Sequence, residues 1–245
     1  MIDPAGRSAL VTGGARRVGA AMALALAASG VDVAIHHRSS ADDAEALAAE
    51  CRERGVRAVV LQSDLAEPGA AETLAREANT ALGGVDILIN SASTWESAPF
   101  DQVDRAMWNR AIATNLTAPM FLSQALGAGM AARGFGRIVN IGDVAGLRPW
   151  PHRAPHSVSK AGLTMLTRIL AQAYAPHVLT NAIVPGPVLM PDGTGAEVAA
   201  NVASETVLGR VGTPGDVVDA MLYLVSAEYV TGQCLVVDGG QAERT

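Results

Sequence analysis

The chain has 245 residues, 49% of them hydrophobic and 17% charged, which is enough apolar material for one large, well-buried domain. A net charge of -6 at pH 7 leaves no basic footprint for a nucleic acid, and the two cysteines, Cys51 and Cys234, have neither metal-ligand spacing nor the density of a disulfide framework. The first apolar run starts close to Met1, and the most apolar helical stretch, "AAMALALAAS", is too short to span a bilayer. The expectation is therefore a cytoplasmic protein that binds no metal, nucleic acid or membrane.

In chain order, "SALVT" (8–12) reads as a first strand, and "VTGGARRVGA" (11–20) carries it into a helix over 17–29. Gly13 and Gly14 allow a sharp turn and close approach of a ligand, and the amides at the helix start then face an anion. A second strand, 31–36, ends in "HHRSS". His37, Arg38 and Ser39, with Arg16 or Arg17 across the cleft, make a cationic, hydroxyl-lined socket with no acid before Asp42. In a dinucleotide site an acid at this place suits the ribose 2′-hydroxyl of NAD, whereas a basic residue suits the 2′-phosphate of NADP. A solvated basic turn is the plainer alternative.

A helix over 41–54 leads to a third strand, 56–62, followed by "SDL" (63–65). A helix over 68–82 leads to a fourth, 85–90, followed by "NSAS" (90–93) and Trp95. The long helical pattern 104–132 contains "NLTAP" (115–119). Strands at 136–142, 178–184 and 233–238 alternate with helices at 157–175 and 214–226. Strands apolar on both faces and spaced by helices mean successive βαβ units, so the predicted fold is α/β: a doubly wound, seven-stranded parallel sheet of Rossmann type in a single domain over 1–245. The stretch 186–205, "GPVLMPDGTGAEVAANVASE", breaks the rhythm. It reads as a mobile substrate lid or as an ordinary surface loop.

These motifs resemble the short-chain dehydrogenase/reductase superfamily over essentially the whole chain. The "TGGARRVG" turn looks like that family's T-G-x-x-x-G-x-G, with Arg17 in place of the middle glycine. The resemblance implies a cofactor rim of Gly13, Arg16, Arg17, Val18, Asp64, Leu65, Asn90, Ser91 and Ala92, with Pro185 and Gly186 of "VPG" against the nicotinamide. It implies catalytic roles for Asn115, which anchors a water in the family, and for Lys160, which binds the nicotinamide ribose.

Asp143 stands where the superfamily's catalytic Ser usually does. With "GARRVG", "HHRS" and "VPGPVLMPDG", this looks like the pteridine reductases, which use NADPH and an Asp, Tyr and Lys. The spacings from Asp143 to His156 and from His156 to Lys160 match, but His156 replaces the Tyr. The resemblance places Ser93, Trp95, Trp150, Leu189 and Met190 around the substrate, and Trp suits stacking on a flat heterocycle. Trp95 can equally close a pocket, and Trp150 can form a wall or pack a lid.

Three readings stay open on sequence. One is an NADPH-dependent reductase of a pterin-like or other carbonyl or imine substrate, with His156 or Asp143 as proton donor. The second is a cofactor-binding protein with little turnover. The third is a non-redox lyase or isomerase using the His–Asp pair. The family is typically tetrameric, so a homotetramer is expected.

Overall fold

The structure is a computed structural model describing residues 1–190 and 193–244. Pro191 and Asp192, which fall in the predicted lid and in the "VPGPVLMPDG" motif, and Thr245 lie outside the described residues. The strands are β1 (Ser8–Val11), β2 (Asp32–His37), β3 (Ala58–Gln62), β4 (Ile87–Asn90), β5 (Gly136–Ile141), β6 (Val178–Pro185) and β7 (Cys234–Val237). They form one 7-stranded sheet in the order β3-β2-β1-β4-β5-β6-β7. Every neighbouring pair is parallel.

Period-two alternation sends side chains to two buried layers. Ala9, Val11, Ile87 and Ile89 face α1 (Arg17–Ala28), α2 (Ala41–Glu53) and α8 (Pro214–Ser226). Leu10, Leu88 and Ile138 face α3 (Ala70–Leu82) and α5 (Ala118–Ala132). A smaller apolar cluster seats α6 (Ala154–Ala173) through Leu163, Leu166 and Leu170. The chain winds outward from β1 to β3 and then, from β4, in the opposite direction. The crevice beyond the ends of β1 and β4 is thus the switch point where such sheets bind ligands.

Two helix expectations need correction. The pattern 104–132 is not one helix: α4 (Arg105–Ile112) and α5 are joined by a π-helical turn, Ala113–Thr117. The wider turn brings the Asn115 side chain out of the ordinary helical ladder and into contact with Thr94 and Ser159, contacts that a continuous helix does not supply. The helix predicted from 157 begins earlier, at Ala154. Pro155 in its first turn needs no N–H partner, so the proline opens the helix rather than preceding it. Within 186–205 the described residues include α7 (Ala196–Ser204), none of whose residues is buried.

A buried polar chain fixes α6 against the sheet. Asn90 Nδ2 donates to Asn140 Oδ1 at 2.8 Å, Asn140 Nδ2 donates to Thr167 Oγ1 at 2.9 Å, and the Thr167 hydroxyl donates to the Leu163 carbonyl at 2.8 Å. Removing the middle link leaves the buried Asn90 amide without its acceptor and Thr167 without its donor. Asn140→Ala is expected to lose about 3 kcal/mol of unfolding free energy in urea; a loss well under 1 kcal/mol would show that these bonds do not tie α6 to the sheet.

Candidate active site

The glycine-rich turn is shaped by three side-chain and backbone requirements. Thr12 Oγ1 accepts the Ser91 and Ala92 amides at 2.9 and 3.0 Å, joining the ends of β1 and β4. Gly13 has φ +61°, and a Cβ there would sit 2.9 Å from Ala92 Cα, so the two strand ends pass too closely for any side chain. The Gly13 amide donates to His36 Nδ1 at 3.1 Å, and His36 Nε2 donates to the Ser63 carbonyl at 3.1 Å. A ring nitrogen that accepts beside one that donates requires a neutral imidazole. Burial accordingly lowers the His36 pKa to about 4, and the bond to Ser63 only partly opposes that.

Arg17 occupies a position the family pattern gives to glycine, and its backbone keeps the left-handed φ of +56°. An L-residue pays strain there, on the order of 1 kcal/mol. Its Nη2 donates to the Leu189 carbonyl at 3.0 Å, so this guanidinium ties the start of α1 to the segment after β6. Arg17 therefore lies apart from the basic socket, and of the two arginines proposed for that role Arg16 is the one that lines it.

That socket is part of a cavity of about 610 Å³, where Arg16, His37, Arg38, Ser39 and Ser40 surround one end and Ser93, Trp95 and Thr114 the other. Asp64 and Leu65 line its wall, Asp64 capping its own turn through the Ala66 amide at 3.0 Å. Arg16 is paired with Asp43 at 3.2 Å, both exposed. His37 is buried, and its Nδ1 has no hydrogen-bond partner among the described residues. Asn90 instead turns its amide into the sheet, and Val18 packs against the core under α1. Pro185 ends β6. A Cβ at Gly186 would lie 2.7 Å from Asp238 Cβ, which brings this strand end hard against the residue after β7.

Asp143, His156, Lys160 and Asn115 converge. Asp143 caps a short turn, Val144–Gly146, its Oδ1 accepting the Ala145 amide at 2.7 Å. A Cβ on Gly146 would lie 2.9 Å from the Lys160 carbonyl carbon, so this turn rests directly on α6. The Asp143 Oδ2 lies 3.6 Å from His156 Nε2, which has no hydrogen-bond partner among the described residues. His156 Nδ1 lies 3.0 Å from the Thr94 carbonyl, which only accepts, so Nδ1 carries a proton. Asn115 Nδ2 comes within 3.4 Å of the same nitrogen as donor facing donor; its real partners are Ser159 Oγ at 3.0 Å and the Thr94 carbonyl at 3.3 Å. Asn115 Oδ1 takes the Thr94 amide at 2.8 Å, completing a lock on the loop after β4.

Lys160 is wholly buried, donates to the Ile141 carbonyl at 2.7 Å, and has its pKa lowered to about 8 by burial, with Asp143 pulling the other way. His156 is 3% exposed and lies under Trp95, whose ring is edge-to-face at 4.5 Å. Trp95 is 48% exposed, with the Arg153 guanidinium over its ring at 4.0 Å and Trp150 edge-on at 5.8 Å. Leu189 is exposed and Met190 half-buried beyond the β6 end. Thr12, His36, Thr94, Ser159 and Arg153 were missed on sequence. Only the histidine doublet at the β2 end offered any signal, and it reads first as a basic spot.

Comparison with known proteins gives consistent neighbours. A family model described as Enoyl-(Acyl carrier protein) reductase matches residues 13–242. The chain is 36% identical to 3beta-hydroxysteroid dehydrogenase 1 of Eggerthella lenta over 246 residues, covering 97% of this chain and 94% of that one. It is similar in structure to FolM Alternative dihydrofolate reductase 1 from Brucella canis complexed with NADP (TM-score 0.91, 33% identity, 99% of this chain and 96% of that chain). It also resembles gluconate 5-dehydrogenase from Burkholderia cenocepacia J2315 in complex with NADP and tartrate (TM-score 0.90, 30% identity, 98% and 97% coverage).

The His36 clamp makes stability depend on pH. Between about pH 4 and the unfolded value of 6.5 the unfolded chain binds a proton that the folded chain refuses. Stability is therefore full above that window and falls as pH drops through it, by roughly 3 kcal/mol in total. Urea titrations of the parent and His36→Gln across pH 4–7 should differ by this slope. Equal slopes would mean that the imidazole is not held neutral.

Proposed function

The chain belongs to the short-chain dehydrogenase/reductase superfamily, and from that premise we propose that it is an NADP(H)-dependent reductase of a planar carbonyl or imine substrate, pterin-like in shape, with Asp143 and His156 delivering the proton. The observation that carries the assignment of roles is the difference in exposure within the pair. His156 is 3% exposed beneath Trp95, whereas the Asp143 side chain is 21% exposed. The carboxyl is therefore the member that reaches a substrate, and the imidazole stands behind it.

The cofactor fits the residues present. Gly13 opens the turn that leads into α1, where the helix-start amides suit a pyrophosphate, and Arg16, Arg38, Ser39 and Ser40 offer donors suited to a 2′-phosphate. His37 and the Asp64–Leu65 wall would flank the adenosine, Ser91 and Ala92 the middle of the cofactor, and Pro185, Gly186 and Lys160 the nicotinamide end. Bound there, NADPH supplies the hydride.

The chain's own groups handle the proton. With Nδ1–H committed to the Thr94 carbonyl, the bare Nε2 faces the Asp143 Oδ2 at 3.6 Å, and a small approach of the two would let them share the proton that the reaction consumes. That proton passes through Oδ2 to the substrate oxygen or nitrogen as hydride reaches the adjacent carbon, and the emptied site refills from solvent on the Asp143 side. Asn115 keeps the Thr94 carbonyl in place and so fixes the imidazole tautomer. Trp95 offers a half-exposed face for a flat substrate, its other contacts being Arg153 and Trp150. Ser93, Trp150, Leu189 and Met190 would surround that substrate, and 186–205 would close over it, tethered by Arg17 to Leu189.

Single-turnover oxidation of NADPH with dihydrobiopterin, dihydrofolate, quinones and ketones tests this reading, with NADH as the paired donor. The parent should prefer NADPH, and Asp143→Asn should slow the step about 10²-fold or more. His156→Gln should slow it less and displace the pH profile. Full activity in Asp143→Asn removes that residue as donor. No oxidation by the parent but rapid oxidation by His156→Tyr would instead favour the cofactor-binding protein with little turnover. Product formed without cofactor oxidation would favour the lyase or isomerase.

The expected homotetramer is supported by an apolar groove of about 390 Å³ along α5 and α6, where Phe121, Met165 and Ile169 stand exposed. Light scattering should give a mass of four chains, and a single-chain mass at micromolar concentration would overturn it.

A further inference from the structure

Beside the cofactor cleft lies a second cavity, of about 670 Å³, that no step above uses. Val144, Arg148 and Trp150 form one side of it, and Glu205, Gln241 and Arg244 the other. Two features place it near the reacting end of the site. Val144 adjoins Asp143 in the chain, and Trp150 stands edge-on to Trp95, which lines the cleft.

The polar lining is cationic. Arg148 Nη1 donates to the Gln241 backbone carbonyl at 2.7 Å, which stretches the guanidinium across the cavity and leaves its other donors free of protein carbonyls among the described residues. Arg244 Nη1 reaches the Thr206 carbonyl at a long 3.4 Å from the opposite side. Neither guanidinium forms an ion pair among the described residues. The carboxylate in the lining, Glu205, is occupied by Gln241 Nε2 at 3.1 Å. Two guanidiniums against one carboxylate leave a single positive charge, set among the apolar surfaces of Val144, Pro149 and Trp150.

We propose that this cavity seats the anionic tail of the substrate, a carboxylate carried at the end opposite its reducible carbonyl or imine. The proposal rests on the reductase reading and names the substrate class for that site. Guanidinium groups take carboxylates through paired, charge-assisted hydrogen bonds. One net positive charge suits a carboxylate better than a phosphate dianion. The reach also fits: the Arg148 amide donates to the Val144 carbonyl at 2.9 Å, so Arg148 stands one helical turn, about 6 Å, beyond the neighbour of Asp143. A flat substrate body that spans the Trp95–Trp150 wall covers this distance.

The test compares matched ketones in the full chain with NADPH: 2-acetylnaphthalene, 6-acetyl-2-naphthoate and the corresponding 6-acetyl-2-naphthyl phosphate. The carboxylate should have a KM at least tenfold below that of the neutral ketone. Arg148→Gln and Arg244→Gln should each cut the preference for the carboxylate over the neutral ketone about tenfold, through KM rather than kcat. Equal kcat/KM for the neutral and anionic ketones in the parent overturns the proposal while leaving the reductase reading intact, and a preference for the phosphate overturns the assignment of the tail. If none of the three is reduced, the reductase reading fails on these substrates and the subsite is judged by calorimetric titration of 6-acetyl-2-naphthoate into the protein with NADPH. Heat of binding that disappears in the double variant supports the subsite, and no binding, or equal binding in the variant, overturns it.

Discussion

The Gly13 amide donates to the Nδ1 of His36, and the arrangement of the strand ends around the cleft follows from that bond. The bond needs an unprotonated nitrogen, so the imidazole must be neutral, and burial keeps it so by holding its pKa near 4. The other nitrogen, which must then carry the proton, meets the Ser63 carbonyl. One ring thus fixes the turn after β1, the end of β2 and the segment after β3 relative to one another. Thr12 does the same between β1 and β4 with a single hydroxyl. The cleft opens beyond strand ends that these two side chains fix in place.

His156 shows the same residue type put to a different use by its surroundings. At His36 both ring nitrogens have backbone partners, so the ring is a strut. At His156 only Nδ1 has one, the Thr94 carbonyl, and Nε2 faces the Asp143 carboxyl at 3.6 Å. A ring satisfied on one side and held near an acid on the other can move a proton without moving itself. The π-helical turn at Ala113–Thr117 is what makes that possible, since it presents Asn115 to the loop that carries Thr94.

Much of the fold was legible because strands buried on both faces leave unbroken apolar runs between turn residues; all seven runs fall on observed strands. Helix 104–132 was read as one helix because the π turn Ala113–Thr117 contains no glycine or proline to mark a break. The convergence of Asp143, His156, Lys160 and Asn115 was legible through resemblance. The partners of the histidines were not, because the Thr94 and Ser63 acceptors are backbone carbonyls and every residue has one. The bond from Arg17 to Leu189 left no mark in the sequence for the same reason, since its acceptor is again a backbone carbonyl. The cover that Arg153 gives Trp95 depends on where the 150–154 turn lies in space, and spacing carries no trace of it.

Asp143 faces cationic neighbours as well as His156. Lys160 is buried and drawn down to about 8, yet near neutral pH the ammonium form still predominates, and its attraction to Asp143 is mutual. His156, on the other side of that carboxyl, is shielded from solvent under Trp95. Arg153, on the far side of the same tryptophan, is also drawn to Asp143, although burial works against its charge. The carboxylate is therefore the anionic hub of three cationic or protonatable groups. In the proposed reaction, negative charge developing on a substrate oxygen beside Asp143 would draw a proton from this pair. A phenol donates a proton of its own. In the proposed mechanism the same task is divided between a buried imidazole and an exposed carboxyl.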